Sequence, residues 1–235
     1  MKIKVIAEAS TPAQRAREEW GLSFLINDTV IFDVFGDKAV FRKNIKKYKV
    51  NLKQIKNIII SHLHWDHIAG LEHVLFAGGN PMVYLPEKEW RLEEILKRYS
   101  APYAVAGNKS VSENGFILTG VIKGKLEKET VMEQGAVFKG VKGYVLVTGC
   151  SHPGIVKMVK TAEKKSGKKI YAVVGGLHLK DSSDDDIMKT ALELKETGVK
   201  KVIAGHCTGA RACGILKKTF KTGFTKLKPG DEYIL

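Results

Sequence analysis

The chain has 235 residues, 44% of them hydrophobic and 27% charged, which excludes a disordered or fibrous protein and suits a globular protein with an ample core. Its formal net charge of +14 indicates either attraction to anions or a lysine-rich solvated surface. Because the lysines are spread along the chain without interleaved aromatic residues, the solvated surface is favoured. The expected partner is a small anionic substrate, with nucleic acid as a less favoured alternative.

The sequence also disfavours a membrane protein and a protein stabilised by disulfides. No apolar stretch approaches the ~18 residues that cross a membrane, and the first residues lack the long apolar segment of a signal peptide. Three cysteines (Cys150, Cys207 and Cys213) form no Cys-x-x-Cys pair, and an odd number argues against a disulfide framework. We therefore expect a cytoplasmic protein without a membrane partner, while its oligomeric state stays open. Abundant Lys and Glu with few Gln also indicates a thermophile.

The first hundred residues predict short strands and helices in alternation. The predicted elements are an edge strand at 2–7, a hairpin over 21–33 that turns at Asn27-Asp28, a helix at 38–49, a strand at 57–61, a helix from 67 to 77 capped by Asp66, a strand at 82–85 and a helix at 87–99. Residues 100–140 hold many glycines and short alternating runs, which predict a β meander.

The second half predicts a regular alternation of strands and helices. The strands are expected at 143–148, 169–174 and 200–204, and the helices at 153–165, 184–197 and 208–219. Since no Pro/Ser-rich linker separates the halves, approximately 1–140 and 141–235, we expect one domain over residues 1–235 with a functional site between them.

A dense group of metal-binding side chains follows the apolar run Ile58-Ile-Ile. His62, His64, Asp66 and His67 occupy six positions, and imidazoles with a carboxylate suit Zn, Mn, Fe, Co or Ni. His62 and His64 are two residues apart, so an extended segment would point both to one side. Asp66 and His67 follow where the chain can turn into a helix and aim elsewhere. The pattern predicts two adjacent metal positions.

Three further histidines, His152, His178 and His206, each follow a short β-branched run. They therefore share the place of the first three histidines, at the carboxyl end of a strand, where sheets flanked by helices bind their ligands. We expect one joint metal site from these residues. His73, in a helical segment, is expected to serve packing or the surface.

The run His62-Leu-His-Trp-Asp-His67 matches the HxHxDH signature of the metallo-β-lactamase superfamily. Val30-Ile-Phe-Asp33, Gly149-Cys-Ser-His152 and Gly205-His206-Cys-Thr-Gly209 resemble further motifs of that superfamily. The resemblance implies an α/β fold, a four-layer αββα sandwich of two mixed sheets flanked by helices. It also implies two metal positions, expected to hold zinc, with manganese, iron or another divalent ion as alternatives. The first would be held by His62, His64 and His152, and the second by Asp66, His67 and His206.

One departure concerns the aspartate that usually bridges both metals in this superfamily. The corresponding strand ends Gly175-Gly-Leu-His178, and Asp181 comes three residues later. His178 is therefore expected to bind metal, to contact an anionic group of the substrate, or to replace the bridge imperfectly. We expect weaker occupancy of the second position.

The Gly-Cys-Ser-His152-Pro-Gly and Gly-Gly-Leu-His178 segments resemble a mostly archaeal and anaerobic-bacterial branch, the dihydropterin-aminobenzene-phosphate synthase related proteins. That branch is linked to pterin-cofactor synthesis. From the superfamily resemblance and the metal-binding residues we nevertheless expect a hydrolase, in which metal-bound hydroxide attacks a small anionic or phosphorylated substrate, with Asp66 and His178 as catalytic candidates. The alternatives are a transferase of the pterin pathway, a nuclease, and a protein that binds its ligand without turnover.

Several neighbouring residues have two interpretations. Asp33 either orients a ligand histidine or only closes the hairpin. Cys150 and Cys207 lie close in sequence to ligand histidines and could bind a soft metal, but a buried packing role is favoured. Lys180 and Arg211 either hold a phosphate or lie at the surface. Ser151 is not expected to be a nucleophile, because no Gly-x-Ser-x-Gly elbow surrounds it.

Overall fold

Two mixed seven-stranded sheets form the centre of the protein, and the computed structural model describes residues 1–107, 112–113 and 115–235. The first sheet has the order β16-β1-β2-β3-β4-β5-β6. Its strands are β1 (Lys2–Ala9), β2 (Gly21–Ile26), β3 (Val30–Phe32), β4 (Asn57–Ile59), β5 (Met82–Leu85), β6 (Tyr103–Val105) and β16 (Glu232–Ile234). Strands β3 to β6 are parallel, and the others pair antiparallel.

The second sheet has the order β15-β14-β13-β12-β11-β8-β7. Its strands are β7 (Ser112–Glu113), β8 (Phe116–Leu118), β11 (Ala136–Lys139), β12 (Tyr144–Val147), β13 (Ile170–Gly176), β14 (Lys201–Gly205) and β15 (Phe224–Lys226). Strands β12 to β15 are parallel, so β12, β13 and β14 end at the same edge. A separate hairpin consists of β9 (Ile122–Leu126) and β10 (Glu129–Glu133).

Helices cover the outer face of each sheet. They are α1 (Pro12–Ala16), α2 (Lys38–Lys47), α3 (Trp65–Ile68), α4 (Leu71–Phe76), α5 (Trp90–Arg98), α6 (Ile155–Ser166), α7 (Asp184–Glu196) and α8 (Ala210–Phe220), with short 3-10 helices at Leu52–Gln54, His206–Thr208 and Lys221–Gly223. Within the described ranges, no helix is long and apolar enough to cross a membrane.

Three apolar clusters hold the layers together. One packs α2, α4 and α5 against the first sheet, and another packs α6, α7 and α8 against the second. The third lies between the sheets, where Phe24 and Phe32 of the first sheet share a core with Phe116 and Phe138 of the second. Each fully buried side chain of this kind stabilises the fold by roughly 1.5–3 kcal/mol. The order helix, sheet, sheet, helix confirms the predicted four-layer αββα sandwich of mixed sheets.

The predicted hairpin is confirmed, because Asn27 and Asp28 both adopt positive φ between β2 and β3, as a tight hairpin turn requires. The predicted edge position of β1 is wrong, since β16 pairs along its free side. The predicted meander over 100–140 includes residues 108–111 and 114, which lie outside the described residues. Its remainder forms β6 to β11, and the chain passes from the first sheet to the second between Val105 and Ser112.

The predicted helix from 67 to 77 is two helices, α3 and α4, separated at Gly70. A Cβ at Gly70 would lie 2.3 Å from the carbonyl oxygen of Val34, so the chain approaches β3 too closely for a side chain there. Asp66 does not cap this segment. His64 occupies the N-cap position, and Asp66 lies in the first turn of α3, where its carboxylate faces two histidines instead.

Candidate metal centre

The six predicted ligands come together where β4, β12 and β14 end, beside an open cavity of about 300 Å³. The loop after β4 brings His62 and His64, helix α3 brings Asp66 and His67, and the loops after β12 and β14 bring His152 and His206. Strands of this architecture present their carboxyl ends to ligands, and here both sheets contribute to one site.

The first cluster contains His62, His64 and His152, whose donor atoms lie within 4.8 Å of one another. His62 Nε2 lies 3.1 Å from His64 Nδ1, and the ring centroid of His152 lies 4.9 Å and 4.8 Å from those of His62 and His64. Burial is the main cause that lowers the pKa of all three, and the pKa of His152 falls to about 3. All three rings are therefore neutral at pH 7, as metal ligation requires.

The second cluster contains Asp66, His67 and His206. One carboxylate oxygen, Asp66 Oδ2, lies 3.4 Å from His67 Nε2 and 3.3 Å from His206 Nε2. His206 Nδ1 donates to the carbonyl oxygen of Ala9 at 3.1 Å, which leaves Nε2 facing the cluster. Burial lowers the pKa of His67, but the charges of Asp66 and Asp33 outweigh it and raise the pKa above its ordinary value.

Asp33 orients a histidine in each cluster. It is fully buried, accepts from the backbone N–H of Ser61 at 2.7 Å, and accepts from His67 Nδ1 at 2.6 Å. The Ser61 hydroxyl donates to Asp33 at 2.7 Å and accepts from His62 Nδ1 at 2.8 Å. With both Nδ1 atoms bonded in this way, His62 and His67 direct Nε2 into the site. The structure therefore favours the orienting interpretation of Asp33 over that of a turn residue.

Two buried glutamates hold the ligand loops, and sequence reasoning missed both. Glu133 accepts from the backbone N–H groups of Cys150, Ser151 and His152 at 2.7 to 3.0 Å, and Glu8 accepts from that of His206 at 2.7 Å. Burial raises the pKa of Glu133. The alternation of β10 could have revealed Glu133, because this residue and Val131 occupy the buried alternate positions of the strand. Nothing in the alternation of β1 distinguishes Glu8.

His178 lies at the rim of the site. Its ring centroid is 4.2 Å from that of His152, and it lines the cavity, but it belongs to neither cluster. Lys180 lines the same cavity and pairs with Asp181, an exposed residue that also lies apart from the clusters. Arg211 bonds to the Ser182 carbonyl and Asp184 on the surface and does not line the cavity.

The other residues singled out by the sequence lie as follows. His73, in α4, packs edge-on against Phe41 of α2 and lies outside the site. The Ser151 hydroxyl donates to the carbonyl of Gly176 at 2.7 Å, inside the protein. Cys150 and Cys207 are both buried, but Cys150 Sγ lies only 3.3 Å from His67 Nε2.

Comparison with known proteins agrees with this geometry. The sequence profile of the metallo-beta-lactamase superfamily matches residues 21–206, which include all six candidate ligands. The chain belongs to the metallo-beta-lactamase superfamily. The resemblance indicated by the HxHxDH run of His62 to His67 is thereby confirmed.

Relatives in this superfamily match most of the chain. A protein from Methanocaldococcus jannaschii is 33% identical over 260 residues, covering 89% of this chain and 88% of that protein, and is named 7,8-dihydropterin-6-methyl-4-(beta-D-ribofuranosyl)-aminobenzene-5'-phosphate synthase. The solved structure of Tm1679, a metal-dependent hydrolase of the beta-lactamase superfamily, has 26% identity and a TM-score of 0.77, covering 100% of this chain and 99% of that one. YhfI from Bacillus subtilis, at 17% identity and a TM-score of 0.71, covers 99% and 98% of the two chains and supports the fold alone.

The donor atoms fit the divalent metals that metallo-beta-lactamase superfamily proteins bind. Among the described residues, four buried ring nitrogens have no hydrogen-bond partner: His64 Nε2, both nitrogens of His152, and His206 Nε2. A buried polar atom without a partner costs about 1–3 kcal/mol, so several in one place indicate that something else satisfies them. Metal ligation satisfies such nitrogens directly.

Proposed function

We propose that this protein is a metal-dependent hydrolase that acts on a small phosphorylated substrate. The observation that carries the proposal is the adjacency of two three-residue ligand clusters, with the ring centroids of His62 and His67 only 4.2 Å apart. Divalent metals at such a pair, for which zinc is the first choice and manganese or iron the alternatives, supply Lewis acidity and an acidified water for ester hydrolysis.

Two cations at the rim of the cavity offer contacts to an anionic substrate, beside the carboxylates of Glu127, Glu129 and Asp181, which line the same cavity. Lys180 and Arg15 both line it, and the side chain of Lys180 keeps 28% of its surface exposed. The Arg15 guanidinium carbon lies 5.8 Å from the ring centre of Trp20, which restricts its position beside the clusters. Cationic groups in a cavity attract and orient a phosphate.

His178 supports proton transfer better than Asp66 does. Burial, followed by the charge of Lys180, lowers the pKa of His178, so its ring is neutral at pH 7 and can accept a proton. Burial raises the pKa of Asp66, but His67 and His206 outweigh it and hold the pKa far below its ordinary value. A carboxylate that stays ionised in this way is a weak base and a good ligand. We assign His178 as the proton-transfer residue and Asp66 as a ligand.

The test is hydrolysis of small phosphomonoesters and phosphodiesters by protein loaded separately with zinc, manganese or iron. We expect turnover that disappears in a His64→Gln variant. Lys180→Gln should raise KM roughly tenfold, the loss of about 1.4 kcal/mol of substrate binding, while Lys189→Gln on the exposed face of α7 leaves KM unchanged. Absence of turnover with every metal, or equal effects of the two lysine variants, would contradict the proposal.

A second candidate, a synthase-type transferase, is favoured by the 33% identity with the relative named for a dihydropterin-aminobenzene phosphate product. The same cationic rim suits a ribofuranosyl phosphate, and the cavity would then hold an amine where the hydrolase places water. The two candidates separate in one assay. A transferase consumes a dihydropterin with a leaving group on its 6-methyl carbon only when the arylamine ribofuranosyl phosphate is also present, whereas a hydrolase needs no amine.

A further inference from the structure

Two buried thiols lie against the second ligand cluster. Cys150 Sγ is 3.3 Å from His67 Nε2, and the donor atoms of Cys150, Cys207 and His206 lie within 4.8 Å of one another. Cys150 also forms a group of the same spacing with His62 and His67, one from each cluster. The Cys150 sulfur therefore lies between the two clusters, next to ring nitrogens of both.

The Cys207 sulfur occupies the space that a side chain at the end of β13 would otherwise fill. A Cβ added at Gly176 would lie 2.5 Å from Cys207 Sγ and 2.6 Å from the carbonyl oxygen of Gly149. Gly176 lies in the segment that corresponds to the superfamily's usual bridging aspartate, which this chain lacks. Any side chain there would collide with the Cys207 sulfur, so the glycine and the cysteine fit each other.

The spacing of four donors, those of Cys150, His67, Asp66 and His206, suits one ion, and Cys207 would add a fifth ligand. Metal–ligand distances of about 2.0–2.3 Å place the donors of a tetrahedral site roughly 3.3–3.8 Å apart. The observed separations are 3.3 Å between Cys150 Sγ and His67 Nε2, 3.4 Å between His67 Nε2 and Asp66 Oδ2, and 3.3 Å between Asp66 Oδ2 and His206 Nε2. His206 Nε2, in a fully buried side chain, has no hydrogen-bond partner.

We propose that Cys150 and Cys207 supply thiolate ligands to the second metal position, in place of the bridging carboxylate. The second position is then a site of nitrogen, oxygen and sulfur donors, while the first contains histidines only. The inference rests on metal binding in the proposed function. Each coordinating thiol releases its proton to solvent when the metal enters. Because thiolates favour softer ions, the second position selects zinc, cobalt or cadmium over manganese or magnesium.

The third cysteine provides a matched control. Cys213 is buried in α8, as Cys150 and Cys207 are buried beside the clusters, but it belongs to none of the groups of three donors found among the described residues. A packing role predicts that all three cysteines behave alike when replaced by serine. Ligation predicts that Cys150 and Cys207 differ from Cys213.

The experiment is cobalt substitution of the whole protein under reducing conditions, followed by near-ultraviolet absorption. Wild type and Cys213→Ser should show the intense sulfur-to-cobalt charge-transfer band as the second equivalent of cobalt binds. Cys150→Ser should lose the band and Cys207→Ser should weaken it, while both still bind the first equivalent. Cobalt bound at both positions without this band would overturn the thiolate assignment and leave the proposed function standing. Failure to bind any cobalt would overturn both.

A second measurement needs no variant and covers the case in which a serine variant does not fold. X-ray absorption of the wild-type protein loaded with two equivalents of zinc should show a sulfur shell at about 2.3 Å beside the nitrogen and oxygen shell at about 2.0–2.1 Å. A spectrum that needs only nitrogen and oxygen donors contradicts the proposal. Added cadmium should displace bound manganese from the wild-type protein much more effectively than from the Cys150→Ser variant.

Discussion

The Nδ1 atom of His67 donates a 2.6 Å hydrogen bond to Asp33 Oδ2, and both side chains are fully buried. The same carboxylate oxygen accepts from the Ser61 hydroxyl, which in turn holds His62. One aspartate at the end of β3 thus sets the direction of a candidate ligand in each cluster. A change at Asp33 should therefore alter the metal affinity of both clusters.

Replacing Asp33 with asparagine should weaken both metal positions. The amide retains the volume but places N–H groups where an acceptor is needed, so either His67 or Ser61 loses its partner. Changes to such orienting groups cost roughly 10–100-fold in metal affinity, which competition with a chromophoric chelator measures. Asp37→Asn, at the N-cap of α2, should leave affinity unchanged. Wild-type affinity in Asp33→Asn would contradict the orienting role.

Glu133→Gln should destabilise the loop that carries His152. Its two carboxylate oxygens accept from three consecutive backbone N–H groups and from the Thr148 hydroxyl. Glutamine has one acceptor oxygen, and its amide N–H would oppose a backbone N–H. Each buried donor left unpaired costs about 1–3 kcal/mol. The free energy of unfolding, measured by denaturant titration, should therefore fall by at least that amount. The exposed Glu196→Gln serves as control, and an equal effect of the two variants would disprove the role.

The two metal positions should empty at different pH. Burial lowers the pKa of His152 to about 3 and also lowers that of His62, so protons compete little for the first cluster near neutrality. The pKa values of His67 and His206 are raised, because nearby negative groups outweigh burial. Only a neutral ring binds metal. As pH falls, protons therefore displace the second metal first, starting above the ordinary histidine pKa of about 6.5.

Elemental analysis after dialysis at a series of pH values checks this order. The wild-type protein should lose its metal in two steps. A His64→Gln variant, with a damaged first cluster, should show only the step at higher pH. Loss of both metals in one step, or retention of the second metal at the lower pH, would contradict the assignment of the shifts.

His178→Ala should reduce activity without removing metal. His178 contacts His152 at the rim but belongs to neither cluster. Loss of a proton-transfer group lowers kcat by roughly 100-fold or more, while metal content stays at the wild-type value. If metal content falls in the variant, His178 is a ligand and the proton must be carried by another group.

Much of the site was predictable from the sequence because strand ends are local signals. Each of His62, His152, His178 and His206 follows a β-branched run, and parallel strands bring such ends to one edge. The sequence could not separate His178 from the ligands, because one strand end resembles another. That separation depends on side-chain direction within the cavity.

The remaining features depend on contacts between distant parts of the chain. Glu8 accepts a hydrogen bond from the backbone N–H of His206, which lies 198 residues later in the chain. Strand β16, near the end of the chain, pairs with β1 near its start. No local periodicity reports either contact. The break at Gly70 was missed for the same reason, since it depends on how closely α3 and α4 approach Val34.

The most direct test of the account is metal content per chain, measured by elemental analysis of protein purified without chelators, together with His206→Ala and His73→Ala variants. Two neighbouring ligand clusters predict two equivalents in wild type and in His73→Ala, which lies outside the site, and one equivalent in His206→Ala. No bound metal in wild type, or the same content in all three proteins, would contradict the two-metal centre.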